Sequence, residues 1–288
     1  MSAEIKRTPA PLTICKTLPA PECLEPRQIP AHLTRSRVAP MPAFHPPPDY
    51  PRIRTVKSFA ELVAAPFAAG VNALCWPRAL PGGFGKIVTQ LGDGEGVVPL
   101  DEARLSTLAL TAAGRTARDF LLADLALLRA QGLAPELNCI HGYARDDAEA
   151  TVPTDVHSFH VDSAPIEAAT WLCTYHGPAS EGCRNEDARR RVDDPATRAA
   201  LLREYGEIEA AFLAARHRGP DDASFGEFLR EHHYDLHYTL LPDARPFSFG
   251  LGHLWRIAVD WPGSAVPPCI HRAPPTAPGE PPRLLLIS

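Results

Sequence analysis

The sequence lacks the features that would assign it to several large classes of protein. It has no uninterrupted run of about 18 apolar residues, which a membrane-spanning helix requires, and no charged-then-apolar start typical of a signal peptide. Its formal charge is −5 and its pI is about 6.2, so it lacks the basic surface that nucleic acids attract. These absences favour a cytoplasmic protein that acts on a small molecule or a protein partner, with no nucleic acid and no membrane involved.

Cysteine pairs spaced for metal binding or redox chemistry are also missing. Seven cysteines are scattered along the chain without a Cys-x-x-Cys pair, and their number is odd. In a chain without an export signal, this pattern predicts reduced thiols and argues against a zinc–thiolate cluster.

Proline, in contrast, is abundant and concentrated at the N-terminus. The first 50 residues hold 11 of the 32 prolines, and this density favours extended backbone over helix. We therefore expect an extended or disordered proline-rich leader over residues 1–52, followed by one domain over residues 53–288. The leader is expected either to recruit a protein partner or to dock as a strap across the core.

Three segments carry helix signals. A helix is expected over residues 58–68, capped by the serine at its start. Over residues 101–130, apolar residues recur at three- and four-residue steps with a break near Gly114, which indicates two helices. Asp194-Pro195 supplies the cap and first turn of a further helix that Gly219-Pro220 would end.

Other segments are rich in β-branched, aromatic and aliphatic residues and are separated by Gly and Pro turns, which indicates strands. They are Val71–Trp76, Val156–Val161, Thr170–Tyr175, Phe247–Leu251, Leu254–Val259 and Arg283–Ile287. A double-stranded β-helix with helices packed on its outside accounts for both the predicted strands and the predicted helices. The sequence therefore predicts an α+β fold with a jelly-roll, cupin-like core, flanking helices and a helical insertion over about residues 184–235.

One short motif carries the strongest chemical signal. His160 and Asp162 are two residues apart, so on a strand their side chains point to the same face. His271 lies far downstream between proline-rich turns, and Arg283 follows at the start of the last apolar run. Two neutral imidazoles and one ionised carboxylate form the set that binds iron(II) and leaves positions open. The pattern predicts a mononuclear iron site made by His160, Asp162 and His271.

Simpler interpretations of these residues stay open. His160 and Asp162 also fit a surface strand that carries two polar side chains, and His271 could hydrogen-bond a backbone carbonyl. His253 is the main alternative third ligand. His157 is a weaker one, because three residues along a strand place it on the opposite face from His160.

Arg283 shares one face of the last predicted strand with Leu285 and Ile287, so it would enter an apolar interior. A buried arginine needs an anionic partner. That partner is either a bound carboxylate, such as that of 2-oxoglutarate or of a substrate, or a structural Asp or Glu. The strand and turn after the His-x-Asp motif offer further candidates for lining the pocket and binding a co-substrate, with ordinary packing as the alternative: Tyr175, His176 and Ser180.

Other polar clusters have simpler interpretations. His232, His233 and His237 lie among acidic residues, which indicates a solvated helix end rather than a second metal site. The charge-rich run from Arg184 to Asp194 is most simply an exposed face or loop. Cys183 has no neighbouring base that would make it a nucleophile.

Several motifs together carry a family resemblance. They are Phe159-His160-Val161-Asp162, Leu172-Cys173-Thr174-Tyr175-His176-Gly177-Pro178, His271-Arg272-Ala273-Pro274-Pro275 with the later Arg283-Leu284-Leu285-Leu286, and the early segment Val71-Asn72-Ala73-Leu74-Cys75-Trp76-Pro77-Arg78. With these motifs the chain resembles the bacterial domain-of-unknown-function 1826 family over roughly residues 55–288. That resemblance names a family without supplying a reaction.

The wider pattern is similar to that of the 2-oxoglutarate and iron(II)-dependent dioxygenases. This similarity implies His160, Asp162 and His271 as iron ligands and Arg283 as the residue that binds the carboxylate of 2-oxoglutarate. Those enzymes often place Ser or Thr two residues after the arginine, where this chain has Leu285. The expected function is a mononuclear non-haem iron(II) oxygenase that oxidises a small molecule, with 2-oxoglutarate as candidate co-substrate.

Two alternatives use the same ligands. One is a non-catalytic zinc- or iron-binding protein of metal homeostasis, which would bind metal without consuming oxygen. The other is a cupin-like hydrolase or isomerase, in which a metal such as zinc polarises a substrate oxygen and no redox change occurs.

Overall fold

The fold combines one large β-sheet, two small sheets and a set of helices. The computed structural model describes residues 47–143, 150–213, 222–275 and 280–288. In these ranges the strands are β1 (Ile53–Thr55), β2 (Ala73–Trp76), β3 (Val97–Pro99), β4 (Glu136–Ile140), β5 (Ala169–His176), β6 (Glu181–Gly182), β7 (Ala188–Arg190), β8 (Tyr238–Leu240), β9 (Phe247–Ser248), β10 (Leu254–Ala258), β11 (His271–Arg272) and β12 (Arg283–Ile287). The α-helices are α1 (Phe59–Ala64), α2 (Phe84–Leu91), α3 (Glu102–Thr107), α4 (Ala112–Arg129), α5 (Pro195–Leu213) and α6 (Asp222–Glu231). Within these ranges, no helix has both the length and the apolar character needed to span a bilayer.

The large sheet separates two hydrophobic cores. Its strand order is β1-β2-β10-β5-β12-β4-β3, and every neighbouring pair except β1 with β2 is antiparallel. Successive residues of a strand point to opposite faces. The outer face packs against α1, α2, α3 and α4 in a core that includes Leu62, Leu105, Leu121, Cys173 and Leu284. The inner face carries a second core that includes Leu172, Phe249, Trp255, Ile257 and Cys269. The prediction of a fold that mixes an antiparallel sheet with helices is confirmed.

The small sheets lie beside the inner face. One has the strand order β11-β6-β9, and the other pairs β7 with β8. Isolated bridges join His160 to His271 on one side and to His237 on the other. Phe249, which follows β9, stacks on Trp255 of β10 with 4.3 Å between ring centroids. This contact packs the three-stranded sheet against the inner face of the large one.

The segment between β6 and β9 contains α5 and α6 together with β7 and β8. Its apolar side chains form a separate core that includes Val192, Leu201, Phe225, Phe228 and Leu229. Helix α5 begins at the predicted cap, where Oδ1 of Asp194 accepts a hydrogen bond from the N–H of Thr197 at 2.9 Å. The predicted end of this helix at Gly219-Pro220 lies outside the described residues.

The segment predicted as a strand over residues 156–161 is a turn followed by isolated bridges at His160 alone. Asp155 accounts for the difference. Its carboxylate accepts hydrogen bonds from the backbone N–H groups of His157 and Ser158, each at 2.9 Å. Local bonding of this kind competes with strand pairing, so the prediction of a strand here was wrong.

Two helix boundaries also differ from the prediction. Helix α1 ends at Ala64 rather than at residue 68, because Pro66 disfavours helical backbone in the residue before it. The break between two helices that was predicted near Gly114 lies further upstream, between the end of α3 at Thr107 and the cap of α4 at Thr111. The side chain of Thr111 accepts a hydrogen bond from the N–H of Gly114 at 3.3 Å and caps α4.

The proline-rich leader predicted over residues 1–52 lies outside the described residues up to position 46. Its last described residues contact the domain. Tyr50 is 5% exposed, and its hydroxyl donates a hydrogen bond to Oδ1 of Asn185 at 2.8 Å. The first strand of the domain follows immediately, at Ile53.

Candidate metal centre

The three residues of the predicted triad come together in space. His160, Asp162 and His271 each offer one ligand atom, and these atoms all lie within 4.8 Å of one another. The shortest recorded approach between His271 and Asp162 is 3.7 Å, from Nε2 to Oδ2. The Asp162 side chain is 34% exposed, so one side of the cluster is open to solvent.

Backbone pairing explains how two distant segments meet here. The N–H of His160 donates to the carbonyl of His271, and the N–H of His271 donates to the carbonyl of His160, both at 2.9 Å. Residues directly opposite in an antiparallel pair place their side chains on the same face. The neighbours Phe159, Val161 and Ile270 point to the other face, where they share an apolar cluster.

The hydrogen bonds of the two imidazoles leave the same nitrogen free on each ring. Nδ1 of His160 lies 2.7 Å from the carbonyl oxygen of Ser158, and Nδ1 of His271 lies 3.3 Å from that of Cys269. A carbonyl oxygen only accepts, so each Nδ1 carries a hydrogen, and in the neutral form of each ring Nε2 is the nitrogen with the lone pair. Such second partners orient the rings of metal-binding histidines.

The electrostatics of the cluster favour the protonation states that a cation needs. Desolvation and the neighbouring His271 lower the pKa of His160 to about 4, so this imidazole is neutral at pH 7. Desolvation acts to raise the pKa of the Asp162 carboxyl, but His271, His160 and Thr170 outweigh it and lower that pKa below its usual value. A neutral imidazole and an ionised carboxylate are thus present together.

Thr170, on β5, holds the carboxylate of the triad in place. Its hydroxyl donates a hydrogen bond to Oδ2 of Asp162 across the gap between the sheets. Thr174 lies on the same face of β5, yet its buried hydroxyl has no hydrogen-bond partner among the described residues. Substituting each threonine in turn therefore tests whether the hydrogen bond from Thr170 holds the Asp162 carboxylate in position.

Replacing Thr170 with valine is expected to weaken metal binding by about 10- to 100-fold, because loss of such a supporting hydrogen bond frees the ligand to reorient. Competition for iron(II) or zinc against a chromogenic chelator would measure the change. The control Thr174→Val removes a hydroxyl from the same strand face and is expected to leave the affinity unchanged. Equal effects of the two substitutions would contradict this role of Thr170.

Arg283 is buried on the inner face of the large sheet without an acidic partner in the described residues. It is 1% exposed, and its nitrogens donate to the Pro178 carbonyl at 2.8 Å, the Tyr143 hydroxyl at 3.1 Å and the Ser180 hydroxyl at 2.9 Å. Burial lowers the pKa of its guanidinium, although Tyr143 acts against that shift. Arginine still stays protonated in proteins, so a buried positive charge is present here.

Other residues considered from the sequence lie elsewhere. Tyr175 is on the outer face of β5, where its hydroxyl donates to Oδ2 of Asp124 at 2.6 Å, so this placement does not support its expected role in binding a co-substrate. His253 accepts a hydrogen bond from the N–H of Arg78 at 3.1 Å and is not in the cluster. Nδ1 of His157 lies 3.1 Å from the carbonyl oxygen of Pro274.

The structure brings two further residues to the site that the sequence did not single out for it. His237, which we expected at a solvated helix end, is 4% exposed and lies in register with His160, with 5.9 Å between ring centroids. Leu236 beside it points into the apolar cluster of the opposite face, so His237 shares the face of the triad. Tyr143 contacts Arg283, as described above. Neither residue lies in a recognisable motif, and only strand pairing reveals them.

The donor set fits a divalent metal. Two imidazole nitrogens and one ionised carboxylate, open on one side, are the ligands with which iron(II) or catalytic zinc keeps positions free for other molecules. His160, Asp162 and His271 are therefore the residues that could hold it. No family model, no curated protein and no solved structure matches the chain.

Proposed function

We propose that the chain is a mononuclear non-haem iron(II) oxygenase with a double-stranded β-helix core, and that 2-oxoglutarate is its co-substrate. The observation that carries the proposal is a buried arginine, Arg283, with no carboxylate within ion-pair distance among the described residues. It lies on the sheet face that also carries Thr170, the residue bound to the triad. The resemblance to the domain-of-unknown-function 1826 family is part of the same proposal.

The order of the strands supports the fold assignment. Within the large sheet, β4, β12, β5 and β10 are neighbours in that order, and the segment at His160, β11, β6 and β9 are neighbours beside its inner face. Along the chain the path alternates between these two layers. It runs from β4 in the large sheet to His160 in the other layer, back to β5, across to β6 and β9, back to β10, across to β11 and finally back to β12. Alternation of this kind is what a jelly roll made of two four-stranded sheets requires.

The three hydrogen bonds of Arg283 leave two of its N–H donors unused within the described residues. A guanidinium has five N–H donors, and the three recorded bonds use one donor on each nitrogen. One donor therefore remains on Nη1 and one on Nη2, which suits a carboxylate bound by two parallel hydrogen bonds. A buried charge without such a partner is costly, and a bound carboxylate would offset that cost.

Leu285 stands where the 2-oxoglutarate-dependent dioxygenases often have Ser or Thr, and two other hydroxyl groups can take over that role. The position two residues after the arginine carries no hydroxyl, but Ser180 and Tyr143 both contact the guanidinium directly. They fix its plane from two sides and offer hydroxyls to the same ligand. Thr174, in register with Leu285, adds a buried hydroxyl that no described residue uses.

The rest of the inner face borders the site with apolar side chains. Leu172, Trp255 and Ile257 form its apolar wall, and each is at most 3% exposed. Bound by the triad, iron(II) would supply the redox chemistry that activation of dioxygen requires. The residues of the chain would hold Asp162 ionised and His160 neutral, and would orient the co-substrate through Arg283.

The proposal is tested by titrating the anaerobic iron(II)-loaded protein with 2-oxoglutarate. The wild type is expected to show saturable binding and a weak visible charge-transfer band. Arg283→Met is expected to keep its iron and to bind 2-oxoglutarate at least about 100-fold more weakly, because each hydrogen bond to a charged group contributes roughly 1.5–3 kcal/mol. Calorimetry gives the affinity, and thermal unfolding checks that the variant is folded.

Arg272 provides the matched control. It lies next to the ligand His271, but its guanidinium already pairs with Glu181 at 2.7 Å on the opposite face. Arg272→Met is therefore expected to bind 2-oxoglutarate normally. Iron binding without any effect of 2-oxoglutarate in the wild type would refute co-substrate use and favour a non-redox metal enzyme. Tight zinc with no iron would favour metal homeostasis.

A further inference from the structure

A second concave site lies in the segment between β6 and β9, away from the triad. It is a cavity of about 230 Å³ between the β7–β8 pair and the start of α5. Its polar lining includes Thr151, Arg189, Arg190, Arg191, Asp194 and Thr197. None of the triad residues lines it, so it is independent of the proposed function.

The three consecutive arginines lack the carboxylate partners that several other arginines of the fold have. Arg184 and Arg272 each form an ion pair with a carboxylate, at 2.5 and 2.7 Å. No described carboxylate lies within ion-pair distance of Arg189, Arg190 or Arg191. The Nε atoms of Arg190 and Arg191 are also buried without a hydrogen-bond partner in the described part of the chain. Buried donors without partners are costly, so the hydrogen-bonding capacity of these two arginines is not met within the described residues.

One acidic residue, Asp194, lies on the cavity wall and offsets part of the positive charge. It caps α5, and its carboxylate accepts the N–H of Thr197. Beyond the wall, Asp155 interacts electrostatically with Arg191 and Asp235 with Arg190, in each case outside ion-pair distance. The wall itself carries three arginines and one carboxylate.

The start of α5 adds to the positive character of the cavity. This helix has 19 residues, and its dipole contributes positive potential near its first turn, where the N–H groups of Thr197 and Arg198 are already bound to Asp194. The donors available to an anion are therefore those of the arginines on β7 and the turn after it. Guanidinium groups are suited to a phosphate group.

We infer that this cavity binds a small phosphate-bearing anion. Its volume is below the roughly 300–1,000 Å³ typical of pockets for drug-sized ligands, which favours inorganic phosphate or a small phosphate monoester over a nucleotide. The charge-rich run that the sequence presents as an exposed face is thus a ligand-binding wall. The same chemistry serves a free phosphate ion and the phosphate group of a metabolite.

The test uses the full chain and inorganic phosphate, titrated by calorimetry at constant ionic strength set with chloride. Saturable one-to-one binding is expected. The double variant Arg189→Gln with Arg191→Gln is expected to bind at least about tenfold more weakly, because it loses two charge-assisted donors. Arg203→Gln, an exposed arginine on α5 outside the cavity, is the matched control and is expected to bind as the wild type does.

A second measurement does not depend on the variants. Phosphate is expected to protect the segment 189–191 of the wild type from modification by phenylglyoxal, with the sites mapped by mass spectrometry. Phosphomonoesters that bind more tightly than phosphate would identify a metabolite as the ligand, and equal or weaker binding would identify the free ion. The inference fails if phosphate binding is no greater than that of chloride, if the double variant binds as tightly as the wild type, or if the arginines are modified at the same rate with and without phosphate.

Discussion

Replacing Asp162 with alanine is expected to remove iron from the purified protein while leaving its fold largely intact. Loss of a supporting second partner typically costs 10- to 100-fold in metal affinity, so loss of the anionic ligand itself is expected to cost more than about 100-fold. The fold is expected to survive, because the Asp162 side chain is partly exposed and its recorded side-chain partners are Thr170 and the nearby imidazole. Metal analysis after anaerobic purification measures the retained iron.

Asp260 provides the control for this substitution. It is an exposed carboxylate close to the triad, and its N–H donates to the carbonyl of Asp162 at 2.7 Å. Asp260→Ala removes an acidic group of the same kind without removing a ligand, so this variant is expected to retain iron as the wild type does. Stoichiometric iron in Asp162→Ala would refute the ligand assignment, and loss of iron from both variants would indicate a general charge effect.

Replacing Asp124 with alanine is expected to cause a large loss of stability. Oδ1 of Asp124 accepts a hydrogen bond from Nη1 of Arg78 at 2.6 Å, and the two side chains are 3% and 7% exposed. Its other oxygen accepts the hydroxyl of Tyr175. The guanidinium also lies 4.7 Å from the centroid of the Trp76 ring. The substitution would leave a buried cation and a buried hydroxyl without their partner.

The expected cost is about 3–5 kcal/mol in the free energy of unfolding, which is the range for breaking a buried ion pair. For a domain of this size, each kcal/mol lowers Tm by about 2–4 °C, so Tm is expected to fall by about 6–20 °C. Thermal or denaturant unfolding measures the change. Asp119→Ala, on the same helix, breaks an exposed pair with Arg118 and is expected to cost no more than about 1 kcal/mol.

A double substitution separates the charge from the packing. Arg78→Met with Asp124→Leu removes both charges and fills the space with apolar atoms, so it is expected to cost less than Asp124→Ala alone. A loss for Asp124→Ala as small as that for Asp119→Ala would show that water or a neighbouring residue compensates the arginine. That result would contradict a structural role for this pair.

Sequence patterns predicted the strands of the large sheet where burial and alternation were strong. The predicted ends of β12 agree with the structure, and those of β5 and β10 agree within one residue. The strand predicted to reach residue 251 ends at Ser248, because Gly250 adopts a φ of 73°. β4 was not predicted, because Glu136–Ile140 carries little of the β-branched signal and is recognised as a strand by its pairing with β12.

The ligands of the candidate site were found from residue type and spacing, whereas its surroundings were not. The geometry that places His160 beside His271 comes from a bridge rather than from the strand we predicted. The face to which Tyr175 points depends on which side of β5 the helices cover, and that is a tertiary property. His237 and Tyr143 reach the site from segments without a motif, so their contributions become visible only when the segments are paired.

The link between His160 and His271 has a consequence for the lifetime of the protein. These residues are about 110 positions apart in the chain and meet only when the two layers have assembled. A metal that binds them together recognises the native state alone, and at 100 times its Kd it would add about 2.7 kcal/mol to the free energy of unfolding. Because unfolded chains are the targets of proteases, a cell short of such a metal would contain less of this protein.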